Sequence, residues 1–213
     1  HKAGDCLMAI STYSELRTTV ADFLNRDDLT AAIPSFISLA EAALNRRLRS
    51  PEMVTRATVT IDAEYENRPS DWMETIRYQV NTNPITVMEF VTPEEAIIQK
   101  TKFSAAGVPM FFSTVGTQFQ HVPAPDGSYT GELMYYARVA GLSDSNTSNW
   151  LLTANPDIYL YATLVQSAPY LKEDERIGVW SSILDRLMAE YEVAEQRAKT
   201  GSSRLASRTR TFG

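Results

Sequence analysis

The sequence predicts an α+β fold that is mainly an α-helical bundle, with an inserted small antiparallel β-element and an extended C-terminal tail. Three observations carry that prediction. Apolar residues recur at one-face helical spacing near both ends of the chain, β-branched and aromatic residues alternate through the middle, and the last 17 residues hold five basic groups and no acid. Along the 213 residues this divides as follows. Residues 1–7, HKAGDCL, precede Met8 and are expected to be a non-native or upstream leader. Residues 8–50 and 149–196 supply one helical bundle, residues 51–148 form the β-rich insertion with one short helix, and residues 197–213 are a basic, flexible docking tail.

The first helix opens at Thr12-Tyr13-Ser14-Glu15, a capping box in which the threonine oxygen accepts a backbone N–H and the glutamate reaches back. Leu16, Val20, Phe23 and Leu24 follow on one face. Asp27-Asp28 is placed to cap a second helix, whose stripe is Ile33, Phe36, Ile37, Ala40, Leu44 and Leu48, with Pro34 ending a short first turn. Arg46, Arg47 and Arg49 then sit at the negative end of its dipole. After Pro51 the period changes to two, and residues 57–61, 76–80 and 85–91 read as strands. Thr92-Pro93-Glu94-Glu95 opens a short helix to about Lys102, with threonine as cap and proline at the first position. Residues 110–115, 117–122 and 129–137 are further strands, separated by Gly116 and by Pro123-Ala124-Pro125-Asp126-Gly127.

Asn155-Pro156-Asp157 starts a helix carrying Ile158, Tyr161, Leu164, Val165 and Ala168. The last helix begins near Glu173 and carries Ile177, Trp180, Leu184, Leu187, Tyr191 and Ala194 at 3-4-3-4-3 spacing. That is a seam of three heptads, suited to packing within the chain or to docking on a neighbour.

Composition narrows function. The net charge is −6 and the pI near 5.0, so the surface as a whole does not suit a polyanion. Outside residues 197–213 the chain carries 15 basic against 26 acidic residues, a net −11. The single cysteine, Cys6, excludes an internal disulfide and a cysteine zinc site. No run approaches the ~20 apolar residues of a membrane span.

Chemistry-bearing patterns are sparse. His121 lies in a strand away from any serine or cysteine it could activate, and no phosphate-loop, dinucleotide, nucleophile-elbow or zinc-protease motif occurs. Asp144-Ser145-Asn146-Thr147-Ser148 begins like a calcium loop, but Asn149 stands at the turn glycine and Asn155 at the bidentate glutamate. Asp27-Asp28 and Glu94-Glu95 are paired carboxylates at helix starts, where they complement the dipole. Tyr135, Tyr136, Tyr159, Tyr161 and Trp180 read as packing. The chain is therefore expected to bind other proteins, with no catalytic residue, cofactor or metal.

The stretches TYSELRTTVADFLNRDDLTAAIPSFISLAEAALNRRLR, VTPEE, PAPDGSYTGELMYYARVAGLSDSNTSNWLL and NPDIYLYATLVQSAPYLKEDERIGVWSSILDRLMAEYEVAEQRAK occur in this order. In them the chain resembles the head-to-tail adaptors of tailed phages over most of residues 8–201. The resemblance implies a non-enzymatic virion protein, assembled in the host cytoplasm. It implies a twelve-fold ring of neighbouring copies beneath the portal protein, above the tail nozzle or another tail component, with genomic DNA passing through the channel unbound. It also implies a C-terminal extension that docks on the portal, for which this chain offers Arg197, Lys199, Arg204, Leu205, Arg208, Arg210 and Phe212. An alternative reading makes the tail a nucleic-acid arm of a packaging or ejection factor.

Overall fold

Thr12 starts the first helix as its capping box predicts: its Oγ1 accepts the Glu15 N–H at 3.3 Å, and Glu15 Oε2 accepts the Thr12 N–H at 2.9 Å. The computed structural model describes residues 10–171 and 175–200, and the chain divides into two units, one built from residues up to 50 and from 139 onward, the other from residues 51–138.

The first unit is helical. It contains α1 (Tyr13–Leu24), α2 (Ile33–Arg47), α4 (Trp150–Ala154), α5 (Pro156–Gln166) and α6 (Arg176–Thr200), the label α3 belonging to a helix of the second unit. The α5 helix is the centre, packed against α1, α2, α4 and α6. Its sequence explains the position, because Ile158, Tyr159, Leu160, Ala162, Thr163 and Leu164 are all buried, and a helix apolar all round belongs inside. Asp27-Asp28 does not cap α2 as expected. The pair lies in a short 3₁₀ turn, Asp28 is held by Arg26, and α2 begins from Ala32, which makes no side-chain cap bond. Pro34 sits in the first turn of α2, where a missing N–H costs nothing.

Residues 139–149 are tied to α2 by two polar side chains. Asn45 Oδ1 accepts the Val139 N–H at 2.9 Å, and Glu41 Oε1 accepts the Leu142 N–H at 2.7 Å and the Tyr159 hydroxyl at 2.8 Å. Asn149 donates to the same hydroxyl and to Ala140 O, while its Oδ1 caps α4 at Leu152. Burial raises the Glu41 carboxyl above its ordinary value, and the two donors oppose the rise.

The second unit corrects the expectation of a mainly helical bundle with a small antiparallel β-element. Its described strands are β1 (Val54–Ile61), β2 (Tyr65–Asn67), β3 (Trp72–Val80), β4 (Thr86–Val87), β5 (Glu89–Phe90), β6 (Phe111–Val115), β7 (Gln118–Val122) and β8 (Tyr129–Ala137). They form two four-stranded sheets, ordered β1-β8-β3-β4 and β2-β7-β6-β5. The β5–β6 pair is parallel, so the arrangement is not purely antiparallel. The physical reason is a separate core. Ile61, Tyr78, Val80, Leu133, Tyr135 and Ala137 from one sheet meet Phe112 and Phe119 from the other, with Met88 between them. Two chain runs, 54–67 and 86–90, each pair first in one sheet and then in the other, so the sheets are two walls of one barrel-like sandwich. Gly131 lets β1 and β3 approach β8 closely within the first sheet: a Cβ there would stand 2.7 Å from Ile61 Cδ1 and 3.0 Å from Gln79 O. The α3 helix (Pro93–Lys102) begins at Thr92, whose Oγ1 accepts the Glu95 N–H, and covers β6 and β7 through Ala96.

Replacing Glu41 by alanine strips the Leu142 N–H of its acceptor in a half-buried site and removes one partner of the Tyr159 hydroxyl. The expected loss is about 2 kcal/mol of unfolding free energy. Glu41→Gln, which keeps the accepting oxygen, is expected to lose much less. Urea titration of the two variants against the parent checks this, and equal losses would contradict it.

Candidate interaction surfaces

The only described histidine is structural in its contacts. His121 on β7 is fully buried, its Nδ1 lies 3.1 Å from Ala63 O and its Nε2 lies 3.0 Å from the Tyr78 hydroxyl. A carbonyl only accepts, so Nδ1 carries the proton and Nε2 accepts from Tyr78. Burial holds the imidazole below its ordinary value, against the Ala63 hydrogen bond, and burial raises the Tyr78 hydroxyl. The pair thus joins β3 of one sheet to β7 of the other. Nearby, Glu64 accepts from Lys100 Nζ at 2.6 Å and Gln120 Nε2 at 3.0 Å, binding α3 to the sheet beneath.

The predicted helix seam is partly a packing face. On α6, Trp180 is buried, and Ile177, Leu184, Leu187 and Tyr191 are half-buried, whereas Ala194 is exposed. Met188, at 0% exposure, is the deepest of the helix's described side chains and was not in the predicted seam. A straight α-helix turns 3.6 residues per turn, so a 3.5-residue seam drifts around it and the packed face moves from Leu187 to Met188 and on to Glu195.

Arg47 fastens the neighbouring stripe of α6 to α2, with Nη1 at 2.9 Å from Asp185 and Nε at 3.8 Å from Glu192. Arg49 instead donates to Asn45 O and Leu48 O, satisfying carbonyls at the end of α2.

Of the residues offered for portal docking, Arg197 is exposed on α6 and Lys199 belongs to the same helix, which continues to Thr200. Arg204, Leu205, Arg208, Arg210 and Phe212 lie outside the described residues. The Asp144 loop is closed by its own serines and asparagine: Ser143 Oγ accepts the Asn146 N–H, and Asp144 stands 3.7 Å from Arg17.

Two apolar surfaces on the second unit escaped the sequence reading, because a run of β-branched and aromatic residues does not say which face is covered. Ile85, Val87 and Phe90 stand out along β4 and β5, Phe90 at 56% exposure, and Ile97, Ile98 and Phe103 stand out on and after α3, Ile97 at 65%. Beside Phe90, a groove of about 290 Å³ is lined by Trp72, Thr75, Phe112 and Thr114. Arg68 stacks on the Trp72 ring at 4.2 Å. On the first unit, the stripe of α6 facing away from its core carries Val179 and Val193, both exposed, with Ile183 half-buried between them.

Among the described residues no group of three or more histidine, cysteine or carboxylate side chains is placed to hold a metal, and no helix is long and apolar enough to cross a membrane. What the geometry offers is contact surface: exposed apolar patches and charged helix stripes on two separately cored units, the equipment of an assembly component. The chain belongs to the SU10 adaptor protein family, whose match spans residues 11–209 and so both units. This agrees with the resemblance drawn from the sequence and makes the chain a phage adaptor protein, a component of the virion. No curated protein matches it.

The buried imidazole sets a pH dependence. Unfolded, His121 takes up a proton near about pH 6.5; folded, it does so only at lower pH, so the unfolded state binds more protons in that interval. Its contribution to stability is therefore complete above about pH 6.5 and is lost as the pH falls from there toward the folded value. An NMR titration is expected to place this imidazole below about 6.5 and urea midpoints to fall over the same interval; an ordinary titration would refute the assignment.

Proposed function

We propose that this phage adaptor is a structural, non-enzymatic head-to-tail adaptor. It forms a ring under the portal protein, extends the DNA channel and gives the tail nozzle, or another tail component, a platform for attachment. The observation that carries the reading is the family match over residues 11–209, which runs through both units and into the basic C-terminal sequence. In the ring, twelve copies follow the portal's symmetry, and the protein acts within the virion after assembly in the host cytoplasm.

Attachment falls to the C-terminal tail. Arg197, Lys199, Arg204, Arg208 and Arg210 present charge-assisted donors to acidic or carbonyl-rich surface on the portal, and Leu205 and Phe212 act as apolar anchors. Each tail alone binds modestly. A ring that presents many tails at once gains from effective concentration, since after the first has docked the others bind within one particle. The rest of the chain, at net −11, repels phosphates and offers DNA no basic track, which suits passage without arrest.

Light scattering of the full chain and of a chain ending at Thr200, each mixed with the portal ring of the same phage, tests the reading. The full chain is expected to join near one copy per portal subunit, while the shortened chain, which keeps α6 whole, is expected to stay free. Equal attachment of both would remove the tail as anchor. Attachment of neither, with tight binding of the full chain to DNA that weakens steeply with salt, would favour the nucleic-acid arm.

A further inference from the structure

The outward stripe of α6 repeats a heptad pattern of its own. Val179, Ile183, Arg186, Glu190 and Val193 follow one another at 4-3-4-3 spacing, the spacing of a helix seam that meets another helix. They fall on a narrow band well away from Trp180 and Met188, which are buried, and from Asp185 and Glu192, which face Arg47. Two shallow hollows lie along this band, and their described lining comes from α6, Gly178 to Arg186 in one and Arg186 to Arg197 in the other. Val179 is 59% and Val193 48% exposed, and the side chains of Arg186 and Glu190 are 69% and 68% exposed, at 3.9 Å from each other. A stripe with Val179 and Val193 exposed, Ile183 half-buried between them and a loose internal ion pair is a surface for a second helix.

The order of charge and apolar residues selects the partner. Ile183 and Val193 each lie five residues from Met188, and Arg186 and Glu190 each lie two from it. If a second α6 is laid antiparallel across the first, with the two-fold axis at Met188, Ile183 meets Val193 of the other copy. In the same register Arg186 meets Glu190 of the other copy, and both contacts occur twice. In a parallel arrangement Arg186 would face Arg186 and Glu190 would face Glu190, which repels. Slipping the antiparallel register by one heptad places Glu190 against Val193 in one direction and Ile183 against Arg186 in the other, which desolvates a charge on an apolar side chain. The register centred on Met188 is the one that sets Ile183 against Val193 and Arg186 against Glu190; Val179 then meets Arg197 at the two ends of the contact, where the guanidinium reaches water, and the arrangement is isologous.

We propose that two copies of the free protein pair through the outward face of α6, antiparallel about Met188, with reciprocal Arg186–Glu190 ion pairs between them. Such a contact closes on two copies, so it cannot propagate a ring; it is a resting form of the chain before the portal is met. The match is charge-coded and small, so it is reversible and weakened by salt.

The experiment is sedimentation velocity on the full chain without portal, over a range of protein and salt concentrations, for the parent, Arg186→Glu, Glu190→Arg and the double exchange. The parent is expected to approach twice the 23.8 kDa chain mass at high concentration and low salt. Each single exchange puts like charges across the axis and is expected to return the chain to one copy. The double exchange restores opposite charges and is expected to restore pairing. Both residues are exposed, so circular dichroism should be unchanged throughout. A parent that stays at one copy under all conditions, single exchanges that leave its mass unaltered, or a double exchange that fails to recover pairing would each overturn the proposal.

Discussion

The helical unit depends on a polar anchor, the Glu41 and Asn45 side chains of α2. Its two halves are separated in sequence by the whole of residues 51–138, so the chain must be caught again at residue 139 for α4, α5 and α6 to find α1 and α2. Apolar burial alone does not fix that register, because it is non-directional. Asn45 and Glu41 do fix it, by accepting the N–H groups of Val139 and Leu142 from successive turns of one helix face. Tyr159 then links the same carboxylate to the central helix, so one side chain positions both the returning segment and α5. The cost is a half-buried carboxyl whose charge is disfavoured by burial, tolerated because both donors reach the same oxygen.

The second unit solves a different problem. Its long strands, β1, β3 and β8, could not bury their inner faces on a helix, since α3 covers only the opposite sheet at β6 and β7. They bury them on that sheet instead, with Tyr78, Phe112 and Phe119 packed ring against ring at 5.3 to 5.8 Å. Tyr78 places a buried hydroxyl in this aromatic core, and His121 satisfies it. The histidine is thus needed as a neutral acceptor rather than as a base. It is the reason that an apolar sandwich can carry a tyrosine at its centre.

The legible parts of the fold were those set by local chemistry. The Thr12 and Thr92 caps, Pro93 and Pro156 at helix starts, and the 129–137 strand all follow from interactions within four residues or from plain alternation. Three features were not legible, for identifiable reasons. The strand at 65–67 is three residues long, too short for a period to register. The 85–91 run reads as one strand, but Met88 turns inward to the core and divides it between two sheets, an event decided by pairing partners far away in sequence. Ala32 begins α2 without a side-chain cap, so two aspartates upstream attracted the assignment that tertiary packing of Ile33 and Phe36 makes unnecessary. Of the contact surfaces, the α6 stripes were written in the sequence at heptad spacing. Which stripe would be buried was not, because two seams of equal period run along the same helix.

That double seam accounts for the make-up of α6, a helix of 25 residues. A helix that only closed a core would need one apolar stripe, and the rest of its surface would tolerate any soluble residue. Here Trp180 and Met188 serve the core, Asp185 and Glu192 serve Arg47, and Val179 and Val193 stand exposed with Ile183 half-buried between them. Apolar residues held at regular spacing on this stripe, interleaved with one arginine and one glutamate, add less to the unit than a buried stripe would. Exposed valines also lower helix propensity slightly relative to alanine or glutamate. Their placement makes physical sense if the stripe is covered at some stage by another helix, and the charge order then decides which helix is accepted.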